Sequence, residues 1–410
     1  MSSEGAFLGI DISAKSTVVS LYKADMAEPS TVSTVLGEEC YSIPTTVAKR
    51  VGMSQWFFGD EAIKRSRTKE AVLVEDLFTL ALKKDMVFID DSSYEAQDLL
   101  VIFFNKIFSI PGPMAAMDSI DKLIICVEQV SLEIMELMNY VASKLGFSSK
   151  QLMLIDRNEC FYYYALSQKP ELFLYKVALF DYSGSNVISC VLNRNQSTRP
   201  QLITLDVANH GDIIDNRDEL FEKIVTDTIG NELYSAVYLV GDGFDGDWMK
   251  SSLTKLCKGR KVFLGKNLYS KGACYAGYIK EGNRDWPFIF IGDNDLKMNL
   301  SIKILDNNVM KFYTLIDAGQ SWYDVKGECE VILDGEPEIE FFIQRPESRE
   351  AHTEVLELTD MPKRENRTTR LRIEASPVSD VAVSIAITDL GFGEISAASG
   401  KKWEHIISIK

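Results

Sequence analysis

The chain carries one short unit twice, and that repetition restricts the fold more than any other feature. Residues 178–192 read ALFDYSGSNVISCVL: apolar Ala178, Leu179 and Phe180 enter Asp181, Ser183, Gly184, Ser185 and Asn186 make a polar turn, and Val187 to Leu192 lead away. Residues 7–22, FLGIDISAKSTVVSLY, have the same layout, with Asp11 followed by Ser13, Ala14, Lys15 and Ser16. Gly and Ser allow the close backbone approach and φ > 0 geometry of a tight hairpin. A carboxylate at a strand end beside free N–H groups is one way to hold Mg²⁺ and a phosphate together. A single Asp-Gly-Ser turn would be only a turn; its recurrence makes Asp11 and Asp181 a candidate pair. A third stretch, 236–249 (AVYLVGDGFDGDWM), predicts a strand running into Gly241, Asp242 and Gly243 and then a helix.

Between these motifs the pattern is α/β. Apolar residues at helical spacing (Leu99, Ile102, Phe103, Ile107) predict a helix over 95–108, ended by Pro111-Gly112-Pro113. Ser131 predicts the cap of a helix whose apolar face is Ile134, Leu137, Met138, Val141 and Leu145. Asp60 is read as the cap of a helix after a Gly turn, and 215–229 as a helix with Leu220, Ile224 and Ile229 inward. The small-residue run 272–277 predicts a helix packed closely on a sheet. From Phe288 onward short alternating strands separated by turns take over, among them 393–397, with Asn307-Asn308 as a hairpin turn. That list predicts a β-sandwich, with the boundary near residue 285.

A length of 410 residues predicts two or three domains, and 46% hydrophobic with 25% charged residues is enough for a large core. The net charge of −16 argues against nucleic acid or an anionic membrane surface as a general partner. No apolar run reaches the ~20 residues of a membrane span, and no signal sequence is expected at the start. The seven cysteines form no C-x-x-C and are read as reduced and structural, while the three histidines form no metal-spaced pair.

The motif order, two Asp-bearing hairpins, a strand–glycine turn and an all-β region, resembles the 70-kDa heat-shock chaperones, in the superfamily of actin and the sugar kinases. Within the β region, 309–317 (VMKFYTLID), 339–345, 355–359 with Met361-Pro362, and 393–402 (GEISAASGKK) resemble strands and the closing hairpin of the chaperone substrate domain. The resemblance covers nearly the whole chain. It implies an α/β actin-like ATPase fold of two ribonuclease H-like subdomains over 1–284, then an all-β sandwich over 285–410 like the chaperone peptide-binding domain. By the same resemblance, Asp11 and Asp181 are catalytic and metal-binding. Ser13, Ala14, Lys15, Ser183, Gly184, Ser185, Asn186, Gly241, Asp242 and Gly243 then surround the nucleotide. ATP and Mg²⁺ are the implied cofactors, an extended peptide or a protein the implied partner, and the cytoplasm the implied location.

The motifs also depart from the family. Ser13, Ala14 and Lys15 stand where it has Gly and two Thr, and Arg157 stands where it has a catalytic Glu, with Glu159 nearby. The adenine-side subdomain and the helical lid are expected to be missing. Lys15 either grips a phosphate or places its ammonium in the phosphate site and pairs with Asp181. Two functions stay open: a chaperone-like protein that binds ATP weakly, is at most a weak ATPase and couples it to peptide binding, or a nucleotide-independent pseudo-ATPase scaffold. A small-molecule kinase is a weaker third reading. Phe312, Leu315, Ile316, Phe341 and Phe342 are candidate peptide-groove positions, and 288–291 is either an interdomain linker or an edge strand.

Overall fold

A computed structural model describes residues 5–35, 38–110, 120–292, 294–323, 325–346, 348 and 350–409. The expected stop at Pro111 to Pro113 lies outside the described residues. The architecture is mixed α/β, with many strands in several sheets. The chain divides into two compact units, 1–193 with 205–286, and 194–204 with 287–410. Among the described residues no helix is long and apolar enough to cross a membrane.

The first unit opens with β1 (Ala6–Ile12), β2 (Ser16–Tyr22), β3 (Ser30–Thr31), β4 (Ile43–Pro44), β5 (Val47–Arg50), β6 (Trp56–Phe58), α1 (Gly59–Arg67), β7 (Ala71–Val74) and α2 (Leu77–Lys83). It continues with β8 (Met86–Ile89), β9 (Ser92–Glu95), α3 (Ala96–Phe108), β10 (Ile120–Val127), α4 (Leu132–Lys144), β11 (Leu152–Asp156) and α5 (Arg157–Ser167). Next come β12 (Lys176–Ser183), β13 (Asn186–Asn195), β14 (Gln201–Asp212), α6 (Arg217–Ile229), β15 (Tyr234–Val240), α7 (Ser251–Leu256), β16 (Lys261–Leu264) and α8 (Leu268–Lys280), the end of β13 and the start of β14 (194–204) counting with the second unit.

Two sheets of this unit follow one plan. In the order β11-β10-β1-β2-β3, the β1–β2 hairpin is antiparallel, while β10 and β11 are parallel to β1. In the order β16-β15-β12-β13-β14, the β12–β13 hairpin is antiparallel, while β15 and β16 are parallel to β12. Every residue of β1 is buried, as expected of a strand covered on both faces. On α3, Leu99, Leu100, Phe103, Phe104 and Ile107 are fully buried in the core over the first sheet. The Ser131 hydroxyl accepts the Ile134 N–H at 3.3 Å, so the α4 cap forms as its sequence predicts. Close packing of α8 also holds: a Cβ on Gly272 would stand 2.1 Å from the Cys160 carbonyl oxygen, so only glycine lets α8 lie against α5.

Three local expectations give way to neighbours far along the chain. On α6 the buried row is Phe221, Val225 and Ile229, and Leu220 faces outward. Phe221 is drawn in by ring contacts with Phe180, Phe244 and Trp248. The strand of the third motif leads to a short 3-10 turn at Asp242–Phe244, and its helix waits until Ser251. That start is placed by Asp218 of α6, whose carboxylate accepts the N–H groups of Lys250, Ser251 and Ser252 at 2.9–3.1 Å. Asp60 sits in the first turn of α1 and does not cap it; the cap position is Phe58.

The second unit contains β17 (Phe288–Phe290), β18 (Asn299–Asp306), β19 (Val309–Ile316), β20 (Gly327–Ile332), β21 (Glu338–Gln344), β22 (Ala351–Glu357), β23 (Arg370–Ser379), β24 (Ala382–Gly391) and β25 (Lys402–Ser408). Strand β17 pairs in parallel with 201–203, the start of β14, so 288–290 is a strand. Two four-stranded antiparallel sheets follow, β19-β18-β21-β22 and β20-β23-β24-β25. One apolar cluster takes Leu300, Ile302, Phe341 and Ile343 from the first and Leu371, Ile373, Ile385 and Ile387 from the second. Asn307 and Asn308 both have positive φ (49° and 62°), as a two-residue hairpin turn requires. The stretch 393–397 is not a strand; Phe392 and Ser396 form an isolated bridge.

Along β24 the inward row Val383, Ile385, Ile387 ends in Asp389, a buried carboxylate. Arg364 grips both its oxygens at 2.8 Å, and the Gly391 and Ser399 N–H groups donate to it at 2.9 and 3.0 Å. The Arg364 guanidinium, followed by the Ser399 and backbone hydrogen bonds, holds the Asp389 carboxyl well below the usual carboxylate range. Asp389→Ala strands a buried guanidinium and should destabilise this unit by roughly 3–5 kcal/mol, read as a lower midpoint of its urea transition. A depressed pKa contributes stability above the unfolded value of about 3.9 and loses it as pH falls below that value. The variant's midpoint should therefore depend less on pH in that acid range than the wild type's.

Candidate functional site

Asp11 and Asp181 occupy matching places in the two sheets of the first unit. Asp11 lies beside Cys126 in the parallel β1–β10 ladder, and Asp181 beside Val240 in the parallel β12–β15 ladder. Both are near the carboxyl ends of their strands, where sheets with parallel strands collect ligands. The two hairpin turns and the Gly241 turn project from the same ends. Together they enclose a cleft of about 530 Å³ lined by Asp11, Ser13, Ala14, Lys15, Asp181, Ser183, Gly184, Gly241 and Asp242. Nine of the sequence-predicted site residues thus meet in one place.

Three others do not line it. Asn186 closes the hairpin opposite Ser183, and the Ser185 hydroxyl donates to Asp212 at 2.8 Å. Gly243 lies against the Tyr182 ring, and its carbonyl accepts from Arg217 and, at 3.1 Å, from the Trp248 indole. Glu159 is also elsewhere: it is buried and pairs with Lys280 at 2.5 Å.

At the floor of the cleft stands Arg157. Asp156 ends β11 and caps α5 through the Glu159 N–H at 2.7 Å, which makes Arg157 the first residue of the helix. The parallel register runs Asp11, Cys126, Ile155 across three strands, so Arg157 emerges next to Asp11. Its Nε and Nη2 donate to Asp11 Oδ1 at 3.4 Å, and its Nη1 lies 3.6 Å from Asp181 Oδ2. All three side chains are largely buried: 20% of Arg157, 12% of Asp11 and 10% of Asp181 remain exposed. Asp181 is further held by the Tyr269 hydroxyl at 2.8 Å and the Ser183 hydroxyl at 2.5 Å. The Tyr269 ring lies against the guanidinium at 4.9 Å.

The electrostatics follow from burial. Desolvation pushes the Asp11 carboxyl above its usual range, against the pull of Arg157 and with the added push of Asp181. Burial also opposes the Arg157 charge, yet Asp11, Tyr269 and Asp181 hold its pKa above the ordinary arginine value. Desolvation and the Asp181 charge keep the Tyr269 phenol protonated far above its normal range. The cation beside Asp181 is therefore Arg157. Lys15 instead lies over the second hairpin, its Nζ 3.5 Å from where a Cβ on Gly184 would stand.

Asp242 fills a second role that the sequence pattern did not disclose. Its carboxylate accepts the Gly184 N–H at 2.7 Å, the kind of turn amide that would face a bound phosphate. Tyr269 was also missed. It lies 88 residues from Asp181 in the chain, and no local pattern marks it. Among the described residues, no group of three or more His, Cys, Asp or Glu is arranged to hold a metal ion. All seven cysteines are free, and burial pushes the Cys126 and Cys160 thiols upward in pKa.

Gly241 fixes the rim. Its φ is +104°, and a Cβ there would stand 2.3 Å from the Tyr182 carbonyl oxygen. Gly241→Ala should destabilise the first unit by about 2 kcal/mol or more through strain and overlap, measured as a lowered thermal midpoint.

A family model described as "Family of unknown function (DUF5716) C-terminal" matches residues 28–293, and one described as "Domain of unknown function (DUF8552)" matches residues 295–409. The first includes Arg157, Asp181, Asp242 and Tyr269, whereas Asp11 precedes it. No curated protein matches the chain.

Proposed function

The chain belongs to the DUF5716 C-terminal family, and from that premise we propose that it is a nucleotide-independent scaffold built on an actin-like, chaperone-like fold. The fold reading is supported by the twice-built plan of hairpin and parallel strands, with a carboxylate on each hairpin. It is supported as well by the two sheets and common core of the second unit, read as a sandwich like the chaperone peptide-binding domain without its lid.

Nucleotide independence rests on one observation: the Arg157 guanidinium lies between Asp11 and Asp181. A hydrated Mg²⁺ needs those carboxylates as its protein contacts and would face a fixed positive charge. Asp242 adds to the mismatch by placing a carboxylate on the Gly184 amide, where a phosphate would meet like charge. The donor set does not fit Mg²⁺ with ATP, so no phosphoryl step is assigned to it.

Binding falls to the second unit in this reading. Strand β19 stands at the end of its sheet and exposes Val309, Met310, Phe312 and Tyr313. Its one cation, Lys311, is neutralised by Asp306. An apolar, locally neutral edge strand suits an extended apolar segment added by strand pairing. Phe312 and Phe342 form an edge-to-face pair at 4.9 Å beside it, whereas Leu315, Ile316 and Phe341 are buried in the core and leave the expected groove set.

Calorimetric titration of ATP with Mg²⁺ should give no saturable heat with the wild type. Saturable heat that disappears in Asp181→Ala would overturn the scaffold reading in favour of the weak ATPase. Apolar peptides on an array should bind without nucleotide, and Phe312→Glu should weaken them roughly tenfold; equal binding by the variant would remove β19 from the site.

A further inference from the structure

We propose that the partner of β19 is the β19 of a second copy of this chain, the two strands pairing antiparallel about a two-fold axis and joining two four-stranded sheets edge to edge. The inference rests on the reading of β19 as a strand-pairing edge and names what pairs with it.

The hairpin turn fixes which backbone groups β19 offers. Asn307 and Asn308 both have positive φ, so the turn is of the two-residue kind in which the closing pair, Asp306 and Val309, exchanges both backbone bonds. Bonded and non-bonded pairs alternate from there. Lys311 and Tyr313 therefore bond to Ile304 and Ile302 of β18, while Met310, Phe312 and Thr314 turn their N–H and C=O groups away from it. The register shifts only beyond Ser301 and Thr314, so the alternation holds over this whole stretch. Among the described residues no strand pairs with β19 on its outer side. Met310, Phe312 and Thr314 are thus half of a ladder.

Setting Phe312 opposite its own copy fills that half at every position. Met310 then exchanges bonds with the second copy's Thr314, and Thr314 with the second copy's Met310, which gives about six backbone hydrogen bonds. One patch serves both copies, as a closed two-fold contact requires. The same register sets each Lys311 beside the second copy's Tyr313, so the two lysines never face each other. On the outer face the two Phe312 rings meet at the axis, each already edge-to-face with Phe342 at 4.9 Å. Val309, Met310 and Phe312 are 62%, 54% and 60% exposed, so the strand gains apolar cover along its length.

Charge selects a second copy as the occupant. The chain carries a net charge of −16, and a second copy carries the same. Of the four edge strands of the two sandwich sheets, β20 has Glu328 and Glu330, β22 has Glu354 and Glu357, and β25 has Glu404. β19 has no carboxylate, and its Lys311 is already paired with Asp306. A basic partner would be drawn to the acidic edges. An equally acidic chain meets no opposing carboxylate on the strand only at β19, since like charges placed opposite one another destabilise a strand pair.

The test is sedimentation equilibrium of the full chain from about 1 to 100 μM. Wild type should pass from monomer to dimer across that range, and a synthetic peptide of residues 309–316 should return it to monomer. Phe312→Pro removes an outward N–H that β18 does not use, a change an edge strand tolerates. It should weaken dimerisation by about tenfold or more with an unchanged circular dichroism spectrum. Phe312→Glu leaves the backbone donor in place, sets two carboxylates at the axis and should weaken it equally, so the test does not hang on the proline variant folding. A wild type that stays monomeric, or a dimer that both variants and the peptide leave intact, would overturn the proposal. A monomer that still binds apolar peptides overturns self-pairing alone and leaves the scaffold reading standing. Saturable heat from Mg²⁺ with ATP sinks the scaffold reading, and a wild-type dimer that Phe312→Pro abolishes still upholds the β19 pairing.

Discussion

One buried guanidinium between two buried carboxylates is the contact on which the first unit is centred. Each group alone would be too expensive to remove from water. The guanidinium offsets one of the two negative charges, desolvation pushes Asp11 toward its protonated form, and the Tyr269 hydroxyl and ring complete their surroundings. The arrangement holds only because four elements arrive at one point: β1, β12, the start of α5 and the start of α8. It therefore selects against any packing that would bring one of these charges inward without the others.

The scaffolding around that contact is set by close approach. In strands buried on both faces the register is held by packing shape, since a one-residue slip would exchange the side chains that fit each covering layer. Glycine at 272 lets α8 settle on α5, which brings Tyr269 within reach of Asp181. The second unit follows the same rule on its own terms. Asp389 ends an otherwise apolar row and is tolerated inside because Arg364 and three backbone or hydroxyl donors saturate it.

Much of this was legible locally. A carboxylate at the end of an apolar run, followed by a Gly- or Ser-rich turn, marked Asp11 and Asp181. Helical spacing marked α3, and Ser131 marked the start of α4. Elsewhere the local signal was even-handed. On α6, Leu220 with Ile224 and Phe221 with Val225 are equally apolar rows, and only the rings of Phe180, Phe244 and Trp248 decide which turns inward. The late start of α7 has a similar origin, because the acceptor for its first amides is Asp218 on a different helix.

The sequence by itself determined the element types, the α/β-to-all-β change of texture and the two carboxyl-tipped hairpins. These follow from periodicity and turn chemistry, which act over a few residues. Only the tertiary structure decided what stands between the carboxylates. Arg157 lies 146 residues from Asp11, Asp242 lies 58 from Gly184 and Tyr269 lies 88 from Asp181, and charge compensation depends on distance in space. A carboxylate announces itself in a sequence, but its counter-ion is chosen by the fold.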